Sequence, residues 1–170
     1  MVTVADFEET DWPAIWPILR EAFADGESYP CPTDMSEADA RGYWLAGAAG
    51  LATPAPRLVR VARDADGAAI ATYYVRPDQG GLGDHVCNCG YIVAPAARGR
   101  GLATALCRQS QDDARAAGYR GMKFNLVVAT NEPAVRAWKR AGLAVIGTTP
   151  KAFRSKRRGL VDAYIMYTAL

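Results

Sequence analysis

The sequence predicts an α/β (α+β) fold with about seven strands and four helices, and three observations lead to this fold class. Segments of alternating polarity, typical of strands, are interleaved with segments whose apolar residues recur every three to four positions, as in amphipathic helices. Asp64–Gly67 separates two apolar segments, which is a β-hairpin signal. An apolar strand ending at Val93 runs through a loop rich in glycine and arginine into a helix that begins at Leu102. The length predicts one domain over residues 1–170.

The N-terminal third is predicted to hold one strand followed by two helices. Val2–Glu8 alternates in polarity as a strand does. The next helix has one apolar face and begins after Thr10 or Asp11, either of which is a suitable cap. After a loop over residues 26–34, Ser36 is the predicted cap of the second helix.

The rest of the chain is predicted in the order strand, strand, strand, helix, strand, helix, strand, strand. Two helices are predicted, Leu102–Ala117 and Asn131–Ala141. Each is predicted to end where it does because a glycine follows, Gly118 or Gly142, and glycine readily adopts the backbone conformation that ends a helix. The predicted strands are Leu58–Arg63, Ala68–Arg76, His85–Val93, Met122–Val128, Leu143–Thr148 and Leu160–Thr168.

The loop after Val93 has the chemistry of a phosphate-binding loop. Gly99 and Gly101 let the backbone approach a bulky anion, since neither carries a Cβ. Arg98 and Arg100 are able to donate charge-assisted hydrogen bonds, and the start of the next helix favours negative charge. A dinucleotide fingerprint does not match, and there is no Gly-Lys pair of a P-loop. A helix that follows a glycine-rich turn and binds nothing stays open on these residues alone.

Two linked motifs resemble the GNAT family of N-acetyltransferases. Arg98-x-x-Gly101-x-Ala103, directly after Ile92-Val93-x-Pro95, resembles the family's acyl-CoA loop. Asn131–Leu143 resembles the family's N-x-x-A-x-x-x-Y-x-x-x-G-F helix. The resemblance implies a mixed, mostly antiparallel sheet, splayed between the strand at 85–93 and the strand at 122–128.

The resemblance also implies acetyl-CoA as co-substrate, with its pantetheine arm in that gap. The backbone N–H of Val93 is expected to stabilise the oxyanion of the reacting thioester. The expected acetyl-CoA-binding residues are Val93, Arg98, Gly99, Arg100, Gly101, Ala103, Thr104, Asn131 and Trp138.

The chain departs from the family at Trp138. Many members have a tyrosine there, whose phenol protonates the departing sulfur, whereas an indole N–H is only a hydrogen-bond donor. Trp138 is interpreted as an aromatic side chain that packs its helix against the sheet or the CoA arm. The thiolate then takes its proton from the attacking amine or from water, or another residue serves as the acid, for which Tyr164 is the candidate.

Three segments resemble the GNAT branch that acetylates proline analogues such as azetidine-2-carboxylate: Cys87–Tyr91, Phe124–Val135 and Val161–Tyr167. In that branch the matching asparagines contact a small cyclic imino acid, so Asn88 and Asn125 are predicted to orient the acceptor nitrogen. Strand alternation places Asn125 on the face opposite to the apolar residues on either side of it. Two structural amides with satisfied hydrogen bonds are the alternative.

The loop between the first two helices usually walls the acceptor site in this family, so Glu27 and Tyr29 are predicted to contact the acceptor. Glu27 or His85 is a possible base acting through water, although each is more often an exposed loop residue. The basic run Arg154–Arg158 is interpreted as a solvated hairpin loop, with contact to an acidic substrate as the alternative.

Composition limits the partners. A net charge of +2 is too small to indicate nucleic-acid binding, and no apolar run approaches the ~20 residues that span a bilayer. Four cysteines without the spacing of a disulfide scaffold predict reduced thiols in a cytoplasmic protein. No metal site is predicted, since His85, Cys87 and Cys89 have no second pair of ligands nearby in sequence.

The sequence thus predicts an N-acetyltransferase that moves acetyl to a small amine or cyclic imino acid by direct transfer in a ternary complex. Acetylation of a protein N-terminus or lysine is the alternative within the family. A non-catalytic acyl-CoA-binding sensor is the alternative from another class, motivated by Trp138. A homodimer is expected because members of this family often pair.

Overall fold

A computed structural model describes residues 1–46 and 57–170. The strands are β1 Thr3–Asp6, β2 Leu58–Arg63, β3 Ala69–Pro77, β4 Val86–Val93, β5 Gly121–Val128, β6 Ala144–Ser155 and β7 Gly159–Ala169. The helices are α1 Trp12–Asp25, α2 Glu37–Arg41, α3 Leu102–Ala116 and α4 Glu132–Arg140, and α2 continues into a π-helical turn at Gly42–Ala46. Their order along the chain confirms the predicted order.

The seven strands form one sheet in the order β1-β2-β3-β4-β5-β7-β6. All neighbouring strands are antiparallel except β4 and β5, which are parallel. Helices α1 and α2 bury their apolar residues on one face of the sheet, and α3 and α4 bury theirs on the other. The mixed, mostly antiparallel sheet with four helices confirms the predicted fold class.

The sheet is splayed at its centre. Strands β4 and β5 pair only at Val86 with Gly121 and at Cys87 with Met122. Past these two pairs the strands separate, and β5 continues in register with β7 instead. A V-shaped gap therefore opens between residues 88–93 and residues 123–128, as the family resemblance implied.

Strand β5 contains a bulge beside this gap. Phe124 pairs with Met166 and Val127 with Tyr164, so β5 uses one more residue than β7 over the same interval. Val127 therefore lies in the core on the same face as Phe124, whereas simple alternation would place Leu126 on that face. The predicted alternation across Asn125 is therefore right on its N-terminal side and wrong on its C-terminal side.

Two predicted strands differ from the structure by more than one residue at an end, and one predicted helix cap does not form. Strand β1 is shorter than Val2–Glu8, and β6 extends seven residues beyond the predicted Thr148, to Ser155. This extension passes a bulge at which the Lys151 N–H donates to the Asp162 carboxylate (2.9 Å). Asp11 does precede α1, but its buried carboxylate accepts from the Glu8 N–H (2.9 Å) and pairs with an arginine instead of capping the helix.

Within residues 1–46 and 57–170, no helix is long and apolar enough to cross a membrane. The same part of the chain contains no cluster of three or more His, Cys, Asp or Glu side chains placed to hold a metal ion. His85 is exposed, whereas Cys87 and Cys89 lie in the core, so these three residues do not come together.

Candidate active site

The gap between β4 and β5 opens into a cavity of about 600 Å³. Its wall is formed by both strands, the loop after α1, the start of α4 and the turn between β6 and β7. A second cavity of about 340 Å³ lies between the loop before α3 and helix α4. The two cavities share wall residues Tyr91, Val93, Arg98, Pro133, Ala134 and Trp138. The two cavities are therefore adjacent, the smaller at the start of α3 and the larger at the gap in the sheet.

The smaller cavity has the features of an anion site. Gly99 and Gly101 have φ values of 77°, a left-handed conformation that glycine adopts without strain. No side chain caps the start of α3, so its first N–H groups point at the cavity without a side-chain partner. Arg98, Ala103 and Thr104 lie in its wall. These residues fit a pyrophosphate group.

Helix α4 adds two cations that the sequence analysis missed. Arg136 and Arg140 line the smaller cavity, and their i, i+4 spacing puts both on one helix face. The i, i+4 spacing of the two arginines is the sequence signal from which their common helix face could have been predicted. Arg100 is exposed and lies outside the wall residues of either cavity in the described part of the chain.

The backbone of β4 shows which peptide groups face the gap. The Ala94 N–H donates to the Ile70 carbonyl (2.8 Å), and the Asp78 N–H donates to the Val86 carbonyl (2.9 Å). In an antiparallel ladder alternate residues bond to the partner strand, so the even-numbered residues of β4 bond to β3. The odd-numbered residues, Val93 included, direct their N–H and carbonyl groups away from β3, towards the gap.

Two side-chain contacts agree with this direction. The Tyr29 hydroxyl donates to the Tyr91 carbonyl (3.0 Å), and Arg98 Nε donates to the Val93 carbonyl (3.0 Å). Tyr29 therefore lies against β4 from the α1 side, in the wall of the larger cavity. Burial raises the pKa of the Tyr29 phenol well above its ordinary value, so it stays protonated as a donor.

Trp138 packs α4 onto the sheet. Its ring centroid lies 4.8 Å from that of Tyr91 and 5.4 Å from that of Phe124, and its side chain is buried. It also lines both cavities. These contacts agree with the packing interpretation. Tyr164 pairs with Val127 on β7 and is not among the described residues that line either cavity.

Asn131 ties the start of α4 to the loop after α1. Its Oδ1 accepts from the Ala134 N–H (3.3 Å), which caps α4, and its Nδ2 donates to the Ser28 hydroxyl (3.2 Å). The predicted cap is confirmed. Both Asn131 and Ser28 lie in the wall of the larger cavity.

The two predicted asparagines lie on opposite sides of the gap, in the wall of the larger cavity. Asn88 Nδ2 donates to the main-chain carbonyl of Lys123 (3.0 Å), and Asn125 Nδ2 donates to the Asp78 carboxylate. A carbonyl and a carboxylate only accept hydrogen bonds, so each amide must present its NH₂ group to its partner. Each Oδ1 therefore remains an acceptor, and neither accepts from another side chain or N–H in the described residues.

Asp78 is the residue that holds Asn125, and the sequence analysis did not single it out. Its carboxylate is 2% exposed and also accepts from Lys123 Nζ at 2.6 Å. The bulge in β5 carries Asn125 to this carboxylate, which lies just past the end of β3. No signal within the sequence relates two residues 47 positions apart.

A set of hydrogen bonds joins two parts of the wall of the larger cavity. The Glu27 carboxylate accepts from the Ser155 hydroxyl (2.7 Å) and from the Arg157 N–H (2.9 Å), and the Lys156 N–H donates to the Gly26 carbonyl (3.2 Å). The loop after α1 is thereby fastened to the β6–β7 turn. We call this set of contacts the bridge.

The bridge explains the state of Glu27. Burial alone would raise the pKa of its carboxyl, but the hydrogen bonds from Ser155 and Arg157, with the charges of Arg157 and Arg158, lower the pKa overall. A carboxylate with a lowered pKa and two donors is a weak base. Glu27 therefore has a structural part in the wall, and His85 is exposed at the foot of β4, outside both walls.

The larger cavity also contains a thiol that is unsuited to act as a nucleophile. Cys89 lines the cavity but is 7% exposed. Burial and the neighbouring Cys87 raise the pKa of the Cys89 thiol well above its ordinary value. Because the thiolate is the nucleophilic form, this side chain is not prepared to carry an acyl group.

The comparisons with known proteins identify the family of the chain. The sequence profile described as "Acetyltransferase (GNAT) family" matches residues 7–143. The chain is 30% identical over 148 residues to N-acetyltransferase aca1 of Schizosaccharomyces pombe, covering 82% of this chain and 71% of that protein. The chain belongs to the GNAT acetyltransferase family. The family, the enzyme class and acetyl-CoA as acyl donor are thereby confirmed as the sequence predicts them.

Solved structures share the whole fold. A GCN5-related N-acetyltransferase from Kribbella flavida is 38% identical, with a TM-score of 0.89 over 99% of this chain and 98% of that chain. A phosphinothricin acetyltransferase from Sinorhizobium meliloti, solved in complex with AcCoA, has a TM-score of 0.84 at 22% identity over 99% of this chain and 88% of that chain. At that identity the second likeness shows the fold alone.

Proposed function

We propose that residues 1–170 form a single acyl-CoA N-acyltransferase domain that moves acetyl from acetyl-CoA to the nitrogen of a small amine or cyclic imino acid. The observation that carries this proposal is the pair of amide oxygens on Asn88 and Asn125, held in the wall of the cavity beside the splayed strands. The two alternatives are a protein N-terminus or lysine as the acceptor, and an acyl-CoA-binding sensor that does not turn over.

The donor side of the proposal assigns acetyl-CoA to the two adjacent cavities. The pyrophosphate lies on Arg98–Thr104, with Arg136 and Arg140 as further cations. The pantetheine arm follows Val93 between β4 and β5, flanked by Asn131 and Trp138. Bound acetyl-CoA supplies a thioester whose carbonyl carbon is open to attack by an amine. The Val93 N–H, which faces the gap, stabilises the oxyanion.

The acceptor side of the proposal assigns the reacting nitrogen to Asn88 and Asn125. Two acceptor oxygens attract the two N–H bonds of a protonated cyclic imino acid; once it has lost one proton, the neutral nitrogen keeps one N–H bond to an amide oxygen and has a lone pair free for attack. Tyr29 and Glu27 line the same cavity. Holding the nitrogen in one orientation is itself a large part of catalysis, because it replaces a bimolecular encounter by a positioned one.

Direct transfer in a ternary complex is supported by what the wall offers for proton and acyl transfer. Cys89 is held as a neutral thiol, and Glu27 is held as a weakly basic carboxylate. The amine therefore gives its proton to water, the C–S bond of the thioester breaks as the C–N bond forms, and water returns one proton to the departing CoA thiolate. No residue of the described wall needs to form a covalent intermediate.

The bridge favours a small acceptor over a peptide. An acceptor groove that runs across the sheet would support acetylation of a protein N-terminus or lysine. Instead, Glu27, Ser155 and Arg157 join the loop after α1 to the β6–β7 turn. A peptide lying across the sheet would have to break these hydrogen bonds, whereas a small molecule in the cavity of about 600 Å³ would leave them in place. The homodimer and the cytoplasmic location stay predictions.

The test follows CoA-thiol release by purified protein with acetyl-CoA and three groups of acceptors: cyclic imino acids, free amino acids, and short peptides. We expect saturable turnover with the small acceptors and intersecting lines in double-reciprocal plots. Turnover restricted to peptides would refute the acceptor class. Parallel lines would refute direct transfer, and tight acetyl-CoA binding without turnover would support the sensor alternative.

Alanine variants test the asparagines. Asn125→Ala and Asn88→Ala each remove one oriented acceptor, which corresponds to about 1–3 kcal/mol, or roughly 5- to 150-fold in kcat/KM for the acceptor. Gln109→Ala is the matched control, because Gln109 is an exposed amide on α3. Full kcat/KM in a folded Asn125→Ala protein would remove this role from Asn125.

A further inference from the structure

Arg76 lies in the wall of the larger cavity together with Asn88, and it belongs to none of the motifs that resemble the GNAT family. It is the register partner of Asn88 in the β3–β4 ladder, so the two side chains are direct neighbours on one face of the sheet. Directly opposed residues of an antiparallel pair have Cβ atoms about 5 Å apart. The guanidinium is therefore adjacent to the amide that is proposed to orient the acceptor nitrogen.

The guanidinium of Arg76 is held in place by aromatic rings. Its Cζ lies 4.1 Å from the centroid of Tyr74 and 5.2 Å from that of Tyr43. Its Nη1 donates to the Tyr43 carbonyl (3.0 Å) and its Nη2 donates to the Tyr74 hydroxyl (3.2 Å). A guanidinium has five N–H donors, so three remain after these two contacts.

Close packing between β3 and β4 keeps this arrangement in place. A Cβ built on Gly90 would stand 2.5–2.8 Å from the ring carbons and the hydroxyl oxygen of Tyr74, so this side chain lies directly across the backbone of β4 at a position that only glycine permits. The ring then supports Arg76 from below. Arg76 is thus preorganised, and its side-chain entropy is already lost before any ligand arrives.

Arg76 has no carboxylate partner. No Asp or Glu lies within 4.0 Å of its guanidinium in residues 1–46 and 57–170, whereas Arg60, Arg63 and Arg157 are all paired. The sequence of residues 47–56 contains no Asp or Glu, so that segment offers none either. A half-buried cation without a counter-ion is unfavourable, and an anion supplied from outside removes the penalty.

The whole cavity favours an anion. Four arginines lie in its wall, Arg76, Arg98, Arg157 and Arg158, against two carboxylates, Asp25 and Glu27. Both carboxylates already contact the β6–β7 turn, so they are not available to a cationic acceptor. A polyamine would find few partners here, and an acidic small molecule would find several.

We propose that Arg76 binds the carboxylate of the acceptor, and that the acceptor is an α-amino or α-imino acid. This rests on the proposed acetyl transfer to a small acceptor. One carbon separates the nitrogen from the carboxylate in such molecules, which matches the adjacency of Asn88 and Arg76 on neighbouring strands. The paired N–H groups of a guanidinium suit the two oxygens of a carboxylate.

The test compares acids with their uncharged carboxamides: L-azetidine-2-carboxylate, L-proline and L-alanine against the corresponding amides. Two readouts are taken, CoA-thiol release and equilibrium binding of each probe to the CoA-loaded protein. We expect the wild type to prefer at least one acid over its amide by about 10-fold or more. Arg76→Met should remove that preference by raising KM for the acid, while KM for acetyl-CoA changes less than about two-fold.

Two further variants separate local pairing from charge and from folding. Arg76→Lys keeps the positive charge but loses the paired N–H donors of the guanidinium, so it should keep only part of the preference for acids over amides. Arg154→Met removes the same charge from an exposed position of β6 outside both walls, so it should keep the preference in full. If Arg76→Met fails to fold, the comparison of acids and amides on the wild type still decides.

Failure of this proposal and failure of the proposed function give different results. A wild type that treats every acid like its amide, in both readouts, overturns the assignment of Arg76, as does an Arg76→Met protein that keeps the preference. Tighter binding of acids that depends on Arg76, without CoA release, would keep this assignment and overturn the proposed transfer to small acceptors.

Discussion

Replacing the buried carboxylate of Asp78 by an amide tests how Asn125 is oriented. In Asp78→Asn the side chain keeps its shape but loses the charge that pairs with Lys123 and the obligatory acceptor that faces Asn125. An amide at this position can offer either its oxygen or its NH₂ group. Asn125 is then no longer forced to present its oxygen to the cavity.

The expected loss of stability follows from the contacts of Asp78. A hydrogen bond to a charged group contributes about 1.5–3 kcal/mol, and breaking a fully buried ion pair costs about 3–5 kcal/mol. Lys123 keeps 30% exposure and regains water, so we expect about 2 kcal/mol. For a chain of this length that lowers Tm by roughly 4–8 °C. Asp112→Asn, in an exposed ion pair on α3, is the control and should lower Tm little.

The expected kinetic loss is specific to the acceptor. We expect kcat/KM for the acceptor to fall about 10-fold, equal to about 1.4 kcal/mol, with KM for acetyl-CoA nearly unchanged. The assay is CoA-thiol release in a double-mutant cycle with Asn125→Ala. If Asp78 acts through Asn125, its replacement has little further effect in the Asn125→Ala protein. Independent, multiplicative losses would refute the reasoning, because Asp78 would then act by another route.

Three further predictions concern the packing, the bridge and the donor site. Gly90→Ala forces the Tyr74 ring to move, so the free energy of unfolding should fall by about 1–3 kcal/mol in denaturant titrations, and KM for the acceptor should rise; an unchanged Cm would contradict the contact. Glu27 has a lowered pKa in the folded protein, so its stabilisation is present above its ordinary value of 4.5 and is lost as pH falls below it. Glu27→Gln should therefore flatten the dependence of Tm on pH below 4.5. Gly101→Ala places a side chain at φ 77°, which costs about 1–2 kcal/mol, and should raise KM for acetyl-CoA but not for the acceptor.

Most of the fold follows from local sequence signals. Helices α3 and α4 end close to their predicted residues, because Gly118 and Gly142 adopt positive φ values just past them. The cap at Asn131 forms as predicted. The length of β6 does not follow from local signals, since its continuation past Pro150 depends on Asp162 of the neighbouring strand.

The site was predictable only where a motif lies within one segment. The glycine loop and the two asparagines are each readable from a few adjacent residues, and the structure brings them to the same gap. Asp78, Arg76 and the bridge are not readable in this way, because each joins residues that are far apart in the chain. Their roles depend on register and on one bulge in β5, which alternation of polarity does not reveal.

The measurement that tests the central claim most directly is a crystal structure of the protein with CoA and L-azetidine-2-carboxylate. The account predicts the pantetheine arm between β4 and β5, with the acceptor nitrogen within hydrogen-bond distance of Oδ1 of Asn88 and of Asn125. An acceptor bound away from both amide oxygens, or one that meets their NH₂ groups instead, would contradict it.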